Sequence, residues 1–136
     1  MKSAQRGFLL LEGLIAILIF SFGVLALIGL QAVVVKETAE AKYRMEASMF
    51  TNQLIGQMWA EDKLTIATDF ASPSGARYVD WRNEVVAAAG LPGAAANPPT
   101  VVFGVNNQVT ITVFWQAPGA PTGTPAHRFV TITQLQ

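Results

Sequence analysis

Apolar residues crowd the first quarter of the chain, then recur every three or four positions, and finally alternate with polar ones. From Gly13 to Val35 every residue is apolar or glycine except Ser21 and Gln31, a run of 23 residues. At about 1.5 Å of rise per residue the run makes a helix of roughly 35 Å, enough to cross a hydrocarbon core of about 30 Å. Between Lys36 and Met58 there is no proline, and only Gly56 is a poor helix former. Tyr43, Ala47, Phe50, Leu54 and Met58 follow one another at helical spacing and share one face, while Lys36, Glu37, Glu40, Lys42, Arg44 and Glu46 occupy the rest. Glu40–Arg44 and Lys42–Glu46 are i,i+4 pairs of opposite charge. The pattern predicts one helix from near Phe8 to about Glu61, apolar all round in its first half and amphipathic in its second.

Beyond Asp62 the periodicity weakens, and Asp69 to Gly75 reads as a turn cluster. Tyr78, Trp81, Val85 and Ala89 then fall on one face of a short helix, with Gly90 as its C′ residue and Pro92 as a stop. Gly93 to Pro99 reads as an exposed loop. Val101 to Val105, a turn at Asn106-Asn107 and Gln108 to Gln116 read as a β-hairpin, because asparagine tolerates the positive φ of a tight turn. Val109, Ile111, Val113 and Trp115 share one face of the second strand, and Thr110, Thr112, Phe114 and Gln116 the other. Ala117 to Ala126, with three prolines and two glycines, reads as an exposed loop. Arg128 to Leu135 alternates again, with Val130 and Ile132 on one face. The expected fold is therefore α+β: a long N-terminal helix whose second half packs on a small antiparallel sheet.

The apolar run on its own is a membrane anchor, and Lys2 and Arg6 ahead of it place its N-terminus on the cytoplasmic side. It is too long, and carries an acid too early, for a cleaved secretory signal. That acid, Glu12, changes the picture, because a carboxylate inside an apolar span costs about 2.5–3.5 kcal/mol on insertion scales and calls for a partner. Gly13, Gly23 and Gly29 interrupt the same run. They let a neighbouring helix approach closely, although glycine is also common in membrane spans generally. Charge adds little: nine basic and nine acidic residues cancel, and no basic patch follows Arg6, so nucleic acid is not an expected partner. No cysteine is present, so the globular part must hold together by packing. One histidine, His127, reads as a surface or strand-end residue. Glu61-Asp62 is a helix-end pair. Neither a metal-ligand cluster nor a phosphate loop occurs, so neither an enzymatic activity nor a cofactor is expected.

Arg6, Gly7, Phe8 and Glu12, in that order ahead of a long apolar helix, resemble the class III leader of type IV prepilins and type II secretion pseudopilins. The resemblance implies that a prepilin peptidase cuts between Gly7 and Phe8, that the new N-terminal Phe8 is methylated, and that Glu12 pairs with the N-terminal amine of a neighbouring subunit. Removal of residues 1–7 would take Lys2 and Arg6 with it and leave seven basic against nine acidic side chains. A long helix covered in its far half by an antiparallel sheet also resembles the type IV pilin fold. Segments 41–47 and 52–59, together with Trp115-Gln116-Ala117-Pro118 and Ala126-His127-Arg128, are most similar to minor pilins of the type IV pilus modification (PilV) family. The chain departs from the wider pattern in three places. Leu9 stands where threonine is usual, Gly29 stands where many major pilins bend at proline, and the paired cysteines of many major pilins are missing.

On that resemblance the chain divides into a leader, residues 1–7, an apolar transmembrane and assembly helix, 8–35, and a periplasmic pilin-like domain, 36–136. Its implied partners are the prepilin peptidase, other minor pilins, the major pilin and, before assembly, the inner membrane. Its implied work is initiation of an extracellular pilus at or near the tip, with cell adhesion as the pilus-level role. Two alternatives stay open: a minor pseudopilin of a type II secretion system, and a membrane-tethered binding module whose Gly7–Phe8 bond is never cut.

Overall fold

A computed structural model describes residues 3–87, 90–121 and 123–135. Its elements are α1 (Ser3–Ala60), α2 (Ile66–Phe70), α3 (Ala76–Val86), β1 (Thr100–Phe103), a single 3-10 turn (Val105–Asn107), β2 (Gln108–Trp115) and β3 (His127–Gln134). The chain falls into two compact units, Met1–Thr38 and Ala39–Gln136. The architecture is α+β, with an apolar N-terminal helix and a three-stranded antiparallel sheet.

In the first unit α1 is apolar on every side, and its large side chains from Phe8 to Val35 are all exposed. Among the described residues this is the one helix long and apolar enough to cross a membrane. The two compact units divide between Thr38 and Ala39, three residues beyond the end of the uncharged run at Val35.

In the second unit the far segment of α1 turns its stripe onto the core. Ala47, Leu54 and Met58 are fully buried, whereas Tyr43 and Phe50 are only partly buried against the same cluster. Thr51 is buried among them as well, which the apolar pattern did not suggest; its hydroxyl donates to the Ala47 carbonyl at 2.8 Å and so carries no unpaired polar group inward. Of the two expected i,i+4 pairs, Lys42–Glu46 is present at 3.7 Å. Glu40 turns away from Arg44 to other partners.

The sheet has the order β1-β2-β3, and its register runs Thr100↔Thr112 to Phe103↔Val109 and Gln108↔Gln134 to Trp115↔His127. Period-two alternation decides its faces. Val109, Ile111, Val113 and Trp115 are buried, as the alternation predicts, and Val101 joins them from β1. The hairpin closes where expected, with Asn106 at φ 55° and Asn107 at φ 56°, although β1 ends at Phe103 and not at Val105. In β3 the two faces separate Phe129, packed on the core, from Val130 and Ile132, which are exposed on the outer face.

Three expectations needed correction. Residues 66–70 form the short helix α2, where only weak periodicity followed by a turn was read; Ile66 and Phe70 are buried by it. The 93–99 segment is not simply exposed, since Ala94 and Pro99 are buried and the Gln116 N–H donates to the Pro92 carbonyl at 2.8 Å. Gly90 is not a C′ residue, because α3 already ends at Val86. It is needed for a close approach instead: a Cβ there would stand 2.2 Å from the Val85 carbonyl oxygen. Ala89, placed on the α3 stripe by its spacing, lies outside the described residues.

Tyr78, Trp81 and Val85 carry the buried face of α3, with the Tyr78 and Trp81 rings 6.3 Å apart and tilted. Both polar tips are satisfied, as buried Tyr and Trp require. The Tyr78 hydroxyl donates to the Pro99 carbonyl at 2.7 Å, and the Trp81 indole N–H to the Phe50 carbonyl at 2.9 Å. Burial raises the Tyr78 pKa above the ordinary 10.0, against a smaller opposing pull from Arg82. Neutral Tyr78 is thus favoured in the fold, so its contribution is fully present below the unfolded value and is lost as pH rises through the folded one. Chemical denaturation between pH 9 and 12 should show an alkaline loss of stability that Tyr78→Phe diminishes, at the cost of about 1 kcal/mol at neutral pH.

Candidate functional site

Helix α1 runs through both Gly7 and Phe8. Of the leader, residues 1 and 2, including Lys2, lie outside the described residues. Phe8 and Glu12 are four positions apart on one helix and so lie on one face, a turn from each other. Phe8 is exposed, and Glu12 is exposed among Leu9, Leu11, Leu14 and Ile15, which are exposed as well. No described residue pairs with the Glu12 carboxylate. One acid therefore stands on an otherwise apolar cylinder, where water satisfies it in solution and an apolar surrounding would require a partner for it or its protonation.

Along the same helix Gly13, Gly23 and Gly29 have open space at the position a Cβ would take. Ser21 is polar but self-contained, its hydroxyl donating to the Ile17 carbonyl at 2.7 Å, the usual way a serine is carried in an apolar span. Such a surface leaves room for close approach at the three glycines and carries one ionisable group, Glu12.

The second unit holds a polar cluster that spacing alone did not reveal. Glu40 Oε2 accepts the Trp115 indole N–H at 3.0 Å, and Glu40 Oε1 faces His127 Nε2 at 3.5 Å. The Trp115 and His127 rings stack at 5.7 Å with 15° between their planes. Glu40 Oε1 is buried without a hydrogen bond, so its contact with His127 carries charge only when the imidazole is protonated. The cluster joins α1 to the end of β2 and the start of β3. The available sequence signal was Trp115 itself, a buried-face indole that had to find an acceptor.

Glu61, read as half of a helix-end pair, is bound by the Arg77 guanidinium, and the Asp62 carboxylate accepts the Leu64 N–H at 3.0 Å. Beside them a cavity of about 140 Å³ is lined by Met58, Trp59, Glu61, Lys63, Ile66 and Leu135. Among the described residues no group of three His, Asp or Glu side chains is placed to hold a metal ion.

No family model, curated protein or solved structure matches the chain.

Proposed function

We propose that the chain is a minor pilin of a type IV pilus, held in the inner membrane by α1 until it is assembled and carrying its α+β domain on the periplasmic side. The observation that carries the reading is the lone Glu12 on an exposed apolar helix, one turn after the Gly7–Phe8 bond. A simple anchor gains nothing from that acid, whereas an anchor that must later leave the bilayer and enter a helical bundle gains a specific partner for it. Prepilin peptidase would act at Gly7–Phe8 and Phe8 would be methylated. Other minor pilins and the major pilin would be the neighbours, at a fibre tip where assembly begins. A type II secretion pseudopilus would use the same leader and helix.

Intact mass of the protein extracted from membranes of a host with an active prepilin peptidase tests the processing step. The expected species lacks residues 1–7 and carries one added methyl group at Phe8. Retention of residues 1–7 would reject the pilin reading and leave a tethered domain.

A further inference from the structure

The two edges of the sheet are unlike. At the β1 edge Ser72 closes the ladder: its N–H donates to the Val101 carbonyl at 3.1 Å, its hydroxyl donates to the same carbonyl at 2.9 Å, and the Val101 N–H donates to that hydroxyl at 3.1 Å. At the other edge β3 is paired with β2 along all eight residues, and among the described residues nothing pairs with its far side. Nothing in its sequence protects it either. His127–Gln134 contains no proline or glycine, its register with β2 is unbroken, and apart from His127 its one charge is Arg128. Such edges are ordinarily blunted, because they template another strand.

The outer face continues this open edge. Val130 is 46% and Ile132 61% exposed, and Ile132 lies in a cross-strand row with Thr110 and the 56%-exposed Val102. We infer that β3 is a self-association edge, pairing antiparallel with β3 of a second copy of this chain about a two-fold axis at Thr131.

The occupant follows from the register. Side chains keep their faces across an antiparallel pair, so only registers that set even-numbered residues opposite even-numbered ones are allowed. With Thr131 opposite its own copy, Val130 lies opposite Ile132 and Ile132 opposite Val130, while Arg128 lies opposite Gln134 at both ends. On the inner face Thr131 meets Thr131 and Phe129 meets Thr133. Apolar β-branched pairs in the middle, threonine paired with threonine and no like charges opposed are the cross-strand pairs that favour antiparallel sheets. Moving the axis to Val130 would put Arg128 opposite Ile132, and moving it to Ile132 would put Val130 opposite Gln134. On the outer face, where the residues are exposed, the Thr131 register is the one that matches apolar with apolar and polar with polar. The joined sheet has six strands and the self-complementary interface of a two-fold dimer. The inference does not depend on the pilin reading.

The chain has no cysteine, so a single introduced thiol reports on its own position. Cysteines placed one at a time from Phe129 to Thr133, and at exposed Asn83 on α3 as a control, would be oxidised in full-length protein in detergent, where two anchors are free to take any orientation. The expected result is disulfide-linked dimer at Thr131→Cys in at least tenfold excess over Asn83→Cys, with lower yields at Phe129→Cys and Thr133→Cys. Mixing Val130→Cys with Ile132→Cys should give the crossed dimer. Adding Ile132→Lys to Thr131→Cys should cut the yield about tenfold with unchanged far-ultraviolet circular dichroism, since Ile132 is exposed and the fold does not need it. A maximum at another position, yields no greater than at Asn83, or indifference to Ile132→Lys would each overturn the inference. Cross-linking of β3 to a different protein in preference to its own copy would overturn it in favour of that partner's strand.

Discussion

Trp81→Ala should lower the stability of the Ala39–Gln136 unit by about 3–5 kcal/mol, the range for deleting a large buried aromatic side chain. Trp81 is 1% exposed and packs beside Tyr78 in the core, and its indole N–H is hydrogen-bonded to the Phe50 carbonyl of α1. Truncation therefore leaves a cavity where α3 meets the amphipathic segment of α1 and removes a buried donor from a paired carbonyl. A second tryptophan supplies the control. Trp59 is 70% exposed at the end of α1, so Trp59→Ala should stay within about 0.5 kcal/mol. Denaturant unfolding of the full chain in detergent, followed by far-ultraviolet circular dichroism so that neither tryptophan is the probe, separates the two. Equal losses would show that α3 does not hold the unit together. Against a typical domain stability of about 5–15 kcal/mol, a loss of that size is a large share of the whole.

What was legible in the sequence was what repeats. Twenty-three uncharged residues followed by a stripe at helical spacing specify α1, and strict alternation from Val109 to Trp115 specifies which face of β2 is buried. The alternation of β3 was equally plain but could not say which face turns inward. Val130 and Ile132 are the more aliphatic set, yet the register with β2 places Phe129 on the core side and those two outside. Helix α2 was not legible because five residues are too few to show a period, and Ile66 and Phe70 are buried only by what the rest of the chain brings over them. Gly90 carried a true signal assigned to the wrong cause: glycine was required, but by the approach to the Val85 carbonyl and not by a left-handed cap.

Partner choice was the least legible property of all. Glu40 had a nearby cation at i+4, Arg44, and uses instead an indole 75 positions away and an imidazole further on. An exposed i,i+4 pair stabilises by only a few tenths of a kcal/mol, so a charged hydrogen bond to a part-buried indole outweighs it. At the N-terminal end the reverse holds. Phe8 and Glu12 lie on one continuous helix, so their placement on one face follows from spacing alone.

Glu12→Ala and Glu12→Gln should abolish or severely reduce incorporation of the subunit into fibres while leaving the folded domain unchanged. The expectation rests on the proposed pilin function and on the position of the acid. Glu12 is exposed on α1 in the Met1–Thr38 unit, so neither substitution touches the core of the Ala39–Gln136 unit, and its unfolding transition should be identical to that of the unsubstituted chain. Removing a carboxylate from an apolar span also favours the membrane, by an amount on the order of 2.5–3.5 kcal/mol at most, so membrane levels should be equal or higher. The loss appears only where the helix leaves lipid for a bundle of other helices. On the proposed function the charged amine of Phe8 on a neighbouring subunit would need an anion there at low dielectric, and deleting one partner of a buried pair costs about 3–5 kcal/mol, a factor of roughly 150 to 5,000 in occupancy. Glutamine keeps the shape and can still accept a hydrogen bond but carries no charge, so failure of both variants identifies the charge as the requirement, whereas rescue by glutamine identifies hydrogen bonding. The measurements are membrane level, cleavage at Phe8 and abundance in sheared fibre fractions. Unchanged incorporation of both variants would remove the assembly role from Glu12 and leave α1 as an anchor that carries its acid without using it.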